Sequence, residues 1–247
     1  MYKRQILNIL IILGVTALIT NVAIQKTTFK YEIPYMLLIT AVLLVMGMTG
    51  NEITFIEGVI LWILFIAYLL YLYFLAKKGN DSGDEQSVKL YPVWKCLLFI
   101  VLGGVCVVIG SQLVVNGATT IARACGMSER FIGLTIVAFG TSLPELVTSV
   151  SAARKGNAGI AIGNIVGSNI FNILFVIGTV ALICPVPFES RFVIDTVVAI
   201  LCGVLLWGGT IRHKELRKPC GVVMLLCYAA YLSLIHISEP TRLALIS

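Results

Sequence analysis

The sequence predicts an all-α membrane protein, a multi-spanning bundle of about eight helices. Three observations support this prediction. Hydrophobic residues make up 59% of the 247 residues and charged residues only 12%, whereas soluble domains carry about 25% charged residues. Long apolar runs alternate with polar loops, and a helix needs about 20 such residues to cross the hydrocarbon core. The basic residues concentrate in alternate loops, as they do in membrane proteins.

The predicted membrane-spanning helices follow the apolar runs of the chain. These runs lie at about 6–20, 33–49, 55–76, 94–121, 130–153, 158–183, 192–210 and 219–231. Several of them are longer than one crossing requires, so we expect tilted or broken helices. The seven cysteines are scattered without a CxxC pair, which favours roles in helix packing over a disulfide or a metal site.

The basic residues orient the runs across the membrane. The loops after the first, third, fifth and seventh runs contain Lys26, Lys30, Lys77, Lys78, Lys89, Lys95, Arg154, Lys155, Arg212, Lys214, Arg217 and Lys218. The other loops contain Arg123, Arg130 and Arg191. The positive-inside rule therefore places the first set of loops, with the polar linker 77–92, in the cytoplasm. Because the net charge of +6 is spread over these loops, it does not indicate nucleic-acid binding.

Both ends of the chain resemble translations of one sequencing adapter read on opposite strands. The chain starts with MYKRQ, and LSLIHISEPTR begins at Leu232. We therefore expect 1–5 and 232–247 to be foreign and leave them out of the fold prediction. This leaves 6–76 as the end of a first half with three helices, 77–92 as a linker and 93–231 as a second half. The alternative is that the end of the chain is a natural polar tail. If both ends are instead foreign, we expect the parent protein to extend beyond them.

An internal repeat links the two halves. NILIILGVTALI (8–19) and NILFVIGTVALI (172–183) are identical at seven of twelve positions. Gly58-Val59 and Ala67-Tyr68 match Gly221-Val222 and Ala230-Tyr231 further along. The two runs are separated by an odd number of crossings and should point in opposite directions, as in the inverted repeats of many secondary transporters. Two helices upstream, the second with its own version of GTSLPE, would complete about ten helices in the parent.

The most informative polar residues lie in GTSLPE (140–145). Glu145 is nine residues before Arg154, or about 14 Å from the cytoplasmic boundary, and a carboxylate near the midplane is functional by default. Pro144 removes an amide donor and frees carbonyl oxygens. Thr141, Ser142 and the backbone at Ala138 add further oxygens, the ligands that Ca²⁺ and Na⁺ prefer. A structural kink, a buried structural acid and hydroxyls bonded to their own helix are the alternatives.

The following run supplies a complementary set of side chains in GNIVGSNIFN (163–172). Ser168 and Asn172 share a helix face and can face Glu145 if the two helices pack antiparallel. Asn164 and Asn169 add amide oxygens. Gly159, Gly163 and Gly167 recur every four residues, which predicts a smooth face for helix packing.

These two motifs resemble the calcium:cation antiporter superfamily, the sodium/calcium exchangers and their prokaryotic relatives. GTSLPEL and GNIVGSNIFNI look like the two parts of that family's second α-repeat. The resemblance implies a ten-helix inverted-repeat exchanger fold, with 93–231 holding the complete second repeat. It implies metal-ligand roles for Glu145, Thr141, Ser142 and Ala138. It gives the same role to Ser168, Asn172 and Asn8; Asn172 stands where some relatives have aspartate, and Asn8 is the surviving position of the first repeat.

The resemblance implies secondary antiport, exchange of Na⁺ for Ca²⁺ across a bacterial or archaeal cytoplasmic membrane, with no cofactor. H⁺ or K⁺ as a coupling ion, a proton-coupled Ca²⁺ antiporter and a cation channel remain alternatives. We expect this chain by itself not to transport. An intramembrane enzyme is disfavoured because the histidines, His213 and His236, lie in a charged loop and in the suspected foreign tail. The expected partners are the transported ions and the lipid bilayer.

Overall fold

The computed structural model describes residues 2–81, 92–127, 132, 136 and 138–238. Its helices are α1 (Tyr2–Leu7), α2 (Leu13–Ile19), α3 (Ile33–Gly50), α4 (Phe55–Asp81), α5 (Val93–Ala124), α6 (Ala138–Gly140), α7 (Leu143–Arg154), α8 (Ala158–Phe171), α9 (Gly178–Ile183), α10 (Ser190–Ile211) and α11 (Lys218–Ser238). The π-helical segments with described bounds are Asn8–Ile12, Thr28–Glu32 and Asn172–Ile177. Four short strands are β1 (Val22–Ala23), β2 (Glu52–Ile53), β3 (Val186–Pro187) and β4 (Glu215–Leu216).

The all-α membrane architecture predicted from the apolar runs is confirmed. Five helices in the described part of the chain are long and apolar enough to cross a membrane: Thr28–Gly50, Phe55–Lys78, Val93–Ala124, Gly159–Ile183 and Phe192–Ile211. A shorter apolar helix covers Lys218–Ser233. The predicted runs 6–20 and 130–153 are divided into shorter segments, the second of them with residues outside the described part of the chain.

Helices extend into the two end stretches, 1–5 and 232–247, that the fold prediction left out. Helix α1 begins at Tyr2, and helix α11 continues to Ser238. Gln5 is buried, with 2% of its surface exposed. Both added stretches are composed mainly of residues that tolerate a helix, so they extend the adjoining helices at little cost. The last residues, 239–247, lie outside the described part.

Two antiparallel strand pairs show that the repeat is inverted. β1, after the first copy of the repeat, pairs with β4, and β3, after the second copy, pairs with β2. β1 and β4 lie at loops predicted to be cytoplasmic, whereas β2 and β3 lie at loops predicted to be on the opposite side. The first copy therefore ends on one side of the membrane and the second copy on the other.

Close glycine contacts repeat with the same symmetry. A Cβ on Gly221 would lie 2.8 Å from the carbonyl oxygen of Gly14, and one on Gly58 would lie 3.1 Å from that of Gly178. Thus α11 packs on α2 as α4 packs on α9. Such close approach through glycine is typical of membrane helices, which gain stability from dense packing. The buried core lies between these two halves and includes the repeat residues Ile9, Leu10, Ile173 and Leu174.

Candidate cation site

The GTSLPE segment breaks a helix into two parts. Helix α6 ends at Gly140, and α7 begins at Leu143 with Pro144 in its first turn. The amide of Ser142 donates to the carbonyl of Phe139 at 3.0 Å, and that of Leu146 donates to the carbonyl of Ser142 at 3.0 Å. Proline is well suited to the first turn of a helix, because an amide there has no partner within the helix. The break therefore places Glu145 in the first turn of α7.

Glu145 and Ser168 meet across the α7–α8 interface. The Ser168 hydroxyl donates to Glu145 Oε1 at 3.4 Å, and both side chains are half-buried. Glu145 lies in the first turn of α7, where the positive end of the helix dipole stabilises a carboxylate. This contact agrees with the prediction that Ser168 can face Glu145 across two antiparallel helices.

Asn164 fixes the first turns of α7. Its side-chain amide donates to Thr148 Oγ1 at 3.0 Å, to Ser149 Oγ at 3.1 Å and to the Glu145 carbonyl at 3.4 Å. Thr148 in turn donates to the Pro144 carbonyl at 2.9 Å. Thr148 and Ser149 were not predicted as site residues. Their spacing could have indicated them, since Thr148 lies four residues after Pro144 and Ser149 four residues after Glu145.

Asn8 and Asn169 join the two copies of the repeat. Asn8 is fully buried, and its Nδ2 donates to Asn169 Oδ1 at 3.2 Å. Asn172 is also buried and begins the π-helical segment Asn172–Ile177, as Asn8 begins Asn8–Ile12. The buried side-chain oxygens without a hydrogen-bond partner among the described residues include Asn8 Oδ1 and Ser142 Oγ, besides those of Gln5 and Tyr71. Unpaired buried oxygens are costly and are therefore candidates for cation ligands.

Arg4 approaches the same broken helix. Its guanidinium Nη2 donates to the carbonyl oxygen of Thr141. In the alignment that pairs Asn8 with Asn172, Arg4 takes the position of Ser168. A positive charge thus lies on a backbone oxygen predicted to be a ligand. Ala138 lies in α6, and its side chain is outside the described part of the structure.

The predicted glycine packing face has different surroundings. A Cβ on Gly159 would lie 3.1 Å from the Gln25 side chain, whereas one on Gly163 or Gly167 would meet no neighbour within 4 Å in the described part of the chain. These glycines line a cavity of about 590 Å³ between α8 and α4. The smooth face is present as predicted, but in this structure it borders the cavity and no helix packs on it at Gly163 and Gly167.

Two further carboxylates have their own partners. Glu57 accepts hydrogen bonds from the amide and the hydroxyl of Thr54 at 2.7 and 2.9 Å, as a charge at a helix start commonly does. Asp195 is buried and accepts a hydrogen bond of 2.7 Å from the Tyr231 hydroxyl.

The fold and the arrangement of oxygens define a membrane transporter built from inverted repeats. The family model described as sodium/calcium exchanger protein matches residues 5–74 and 95–236. The chain therefore belongs to the sodium/calcium exchanger family and is an integral membrane protein.

Individual proteins support this assignment. The chain is 31% identical to the inner membrane protein YrbG of Escherichia coli, over 96% of this chain and 75% of YrbG. It is 36% identical to the membrane protein MJ0091 of Methanocaldococcus jannaschii, over 90% of this chain and 71% of MJ0091. A solved structure of the sodium-calcium exchanger NCX_Mj matches with a TM-score of 0.77 and 31% identity, over 94% of this chain and 74% of the other.

Proposed function

We propose that this chain binds Ca²⁺ and Na⁺ in competition, as part of Na⁺/Ca²⁺ exchange across a cytoplasmic membrane, and that Glu145 is its principal cation ligand. The single observation behind the proposal is the Glu145 carboxylate at a broken helix, with the Ser168 hydroxyl 3.4 Å from its Oε1. A carboxylate inside a membrane helix bundle usually marks an ion pathway.

The surrounding groups suit a hard cation. Glu145, Ser168, Ser142 and the backbone near the break offer oxygen atoms only, which is the ligand type of Ca²⁺ and Na⁺. The buried Ser142 Oγ, without a partner among the described residues, would gain one by binding a cation. We extend the ligand set to Asn8, Asn172, Thr141 and the Ala138 backbone by family resemblance.

Charge balance explains how the two ions can compete. No group of three or more His, Cys, Asp or Glu side chains is placed to hold a metal ion within the described ranges. Glu145 is the carboxylate at the break, and the Arg4 guanidinium donates to the Thr141 carbonyl beside it in sequence, so further negative charge would have to come from the other half of the repeat. Two carboxylates would balance one Ca²⁺ or two Na⁺ equally well, so either ion can neutralise the same cluster.

The inverted repeat supports a route for alternating access. The two copies have the same packing on opposite sides of the membrane, so one site between them can open to either side by a movement of one bundle against the other. The protein's own part in this step is to hold Glu145 at the helix break and to keep its oxygens dry and oriented. No cofactor is needed for such an exchange.

Ca²⁺ binding tests the proposal. The 247-residue chain, reconstituted in nanodiscs, is titrated with ⁴⁵Ca²⁺ in choline medium and then in rising Na⁺. Glu145→Gln should weaken Ca²⁺ binding by about a hundredfold, because removing one partner of a desolvated charge pair costs about 3 kcal/mol or more. Glu57→Gln is the matched control, because Glu57 also lies in the first turn of a helix but bonds only to its own helix start.

Three results would count against the assignment. Equal Ca²⁺ affinity in Glu145→Gln and Glu57→Gln would remove the ligand role of Glu145. Ca²⁺ binding that Na⁺ does not displace, but that acidification does, would favour the proton-coupled alternative. Bound ⁴⁵Ca²⁺ that no concentration of Na⁺ or H⁺ displaces would contradict exchange altogether.

A further inference from the structure

The Glu32 carboxylate is buried near the side predicted to be cytoplasmic, away from the GTSLPE break. Glu32 ends the π-helical segment Thr28–Glu32, and only 8% of its surface is exposed. It lies four residues inside the span that begins at Thr28, or about 6 Å along a helix axis. Burying a carboxylate without a counter-charge is costly. None of the described lysines and arginines forms an ion pair with it; Lys30 is exposed and lies over the Tyr31 ring.

The repeat provides an internal comparison for Glu32. The register that pairs Ala67-Tyr68 with Ala230-Tyr231 also pairs Glu32 with Asp195. Tyr231 donates a 2.7 Å hydrogen bond to Asp195. Tyr68 makes no such bond to Glu32, although both residues are described; its ring instead stacks on Tyr35 at 5.5 Å with an interplanar angle of 10°. Asp195 therefore accepts a hydrogen bond from a tyrosine, whereas Glu32, the matching carboxylate of the other copy, accepts none from Tyr68.

Glu32 borders the cavity of about 590 Å³ together with Gln25, Thr28 and Asn164. Thr28 is also buried and begins the π-helical segment that Glu32 ends. At this end the cavity offers a carboxylate, a hydroxyl and an amide oxygen, which are hard-cation ligands. Asn164, which also lines the cavity, donates to the Glu145 carbonyl at 3.4 Å. One side chain of the cavity wall therefore contacts the turn that holds Glu145.

We propose that Glu32, with Thr28 and Gln25, forms a second cation site, specific for a monovalent cation such as Na⁺, in the open cavity beside α8. A single carboxylate balances one positive charge, so the site favours Na⁺ over Ca²⁺. The capped Asp195 of the other copy does not bind a cation. Transfer of the ion from Glu32 towards Glu145 rests on the proposed function, whereas binding at Glu32 does not.

Carbodiimide protection tests the site on the unmodified chain. Dicyclohexylcarbodiimide reacts with carboxyl groups in apolar surroundings, and peptide mass spectrometry reports the reaction at Glu32 and Asp195 separately. At ten times its Kd, Na⁺ should slow modification of Glu32 about tenfold, because the free fraction of the site falls by that factor. Ca²⁺ at the concentration that saturates the Glu145 site, or N-methylglucamine, should not slow it. Modification of Asp195 should be the same in all three media.

Equal modification of Glu32 in Na⁺ and N-methylglucamine would overturn the proposal. An absence of modification in both would also overturn it, since the cavity would then not give small molecules access to the carboxylate. The matched variants Glu32→Gln and Asp195→Asn add a binding test: only Glu32→Gln should lose the ²²Na⁺ binding that saturating Ca²⁺ fails to displace. In Glu145→Gln, Ca²⁺ binding should fall while Na⁺ protection of Glu32 persists, so the two proposals can fail separately.

Discussion

The Asn164 amide offers the most direct test of how α8 holds the Glu145 turn. It makes two hydrogen bonds of ordinary length, 3.0 Å to Thr148 Oγ1 and 3.1 Å to Ser149 Oγ. Neutral hydrogen bonds contribute about 1 kcal/mol each, so Asn164→Ala should lose about 2 kcal/mol. Alanine regains about 0.6 kcal/mol in helix propensity. The free energy of unfolding should therefore fall by about 1.4 kcal/mol.

A double-mutant cycle separates the hydrogen bond from other effects of the substitution. Unfolding of the chain in mixed detergent micelles is followed by circular dichroism for Asn164→Ala, Thr148→Val and the double variant. If the 3.0 Å contact is a hydrogen bond, the coupling energy should be about 1 kcal/mol. Asn157→Ala, at the start of α8 and without a side-chain cap hydrogen bond, is the control. Effects of Asn164→Ala and Thr148→Val that add within about 0.3 kcal/mol would refute the network.

Three further predictions concern packing, burial and orientation. Gly221→Ala should melt below Gly208→Ala by an amount equivalent to about 1–3 kcal/mol, because a Cβ on Gly221 meets Gly14 whereas one on Gly208 has no described neighbour within 4 Å; equal melting temperatures would contradict the close contact. Tyr231→Phe should cost about 1–3 kcal/mol in thermal unfolding by leaving Asp195 without its 2.7 Å donor, and Tyr228→Phe should cost less; equal losses would argue against that bond. In vesicles of known orientation, a membrane-impermeant maleimide should label the exposed Cys125 and Cys184 from the same side, opposite the predicted cytoplasmic loops. Labelling of the two cysteines from opposite sides would contradict the topology.

Much of the architecture could be predicted because the repeat left identical residues in the sequence. Gly14 and Gly178, together with Gly58 and Gly221, were recognised as matching positions, and they are the glycines that allow the two helix pairs to touch. The alternation of basic loops gave an orientation that agrees with the strand pairing. The contact between Glu145 and Ser168 could be predicted from helix periodicity, because the helix faces that carry these two side chains can lie opposite each other in an antiparallel pair.

Other features lay beyond the sequence pattern for physical reasons. A π-helical segment differs from an α-helix by the register of a few backbone hydrogen bonds. The periodicity of the side chains around Asn8 and Asn172 does not indicate it. Two-residue strands such as β1 and β4 are too short to show alternation. The cavity beside Gly163 depends on how far apart α4 and α8 lie, which a small-residue stripe does not determine.

The paired π-helical segments bear on how the site is built. Each begins at the repeated asparagine, Asn8 or Asn172, and each is followed by a helix that ends in the same extended conformation, at Thr20 and Cys184. A π-helical turn leaves one backbone group more poorly satisfied than an α-helical turn does, and such turns are frequent at functional sites. A π-helical segment occurs at the same position in both copies of the repeat, although the residues that pack around the two copies differ. It therefore follows from the sequence that the copies share. We therefore expect Asn8→Ala and Asn172→Ala each to weaken Ca²⁺ binding in the titration that tests Glu145. Loss in one variant and none in the other would show that the two copies do not contribute alike.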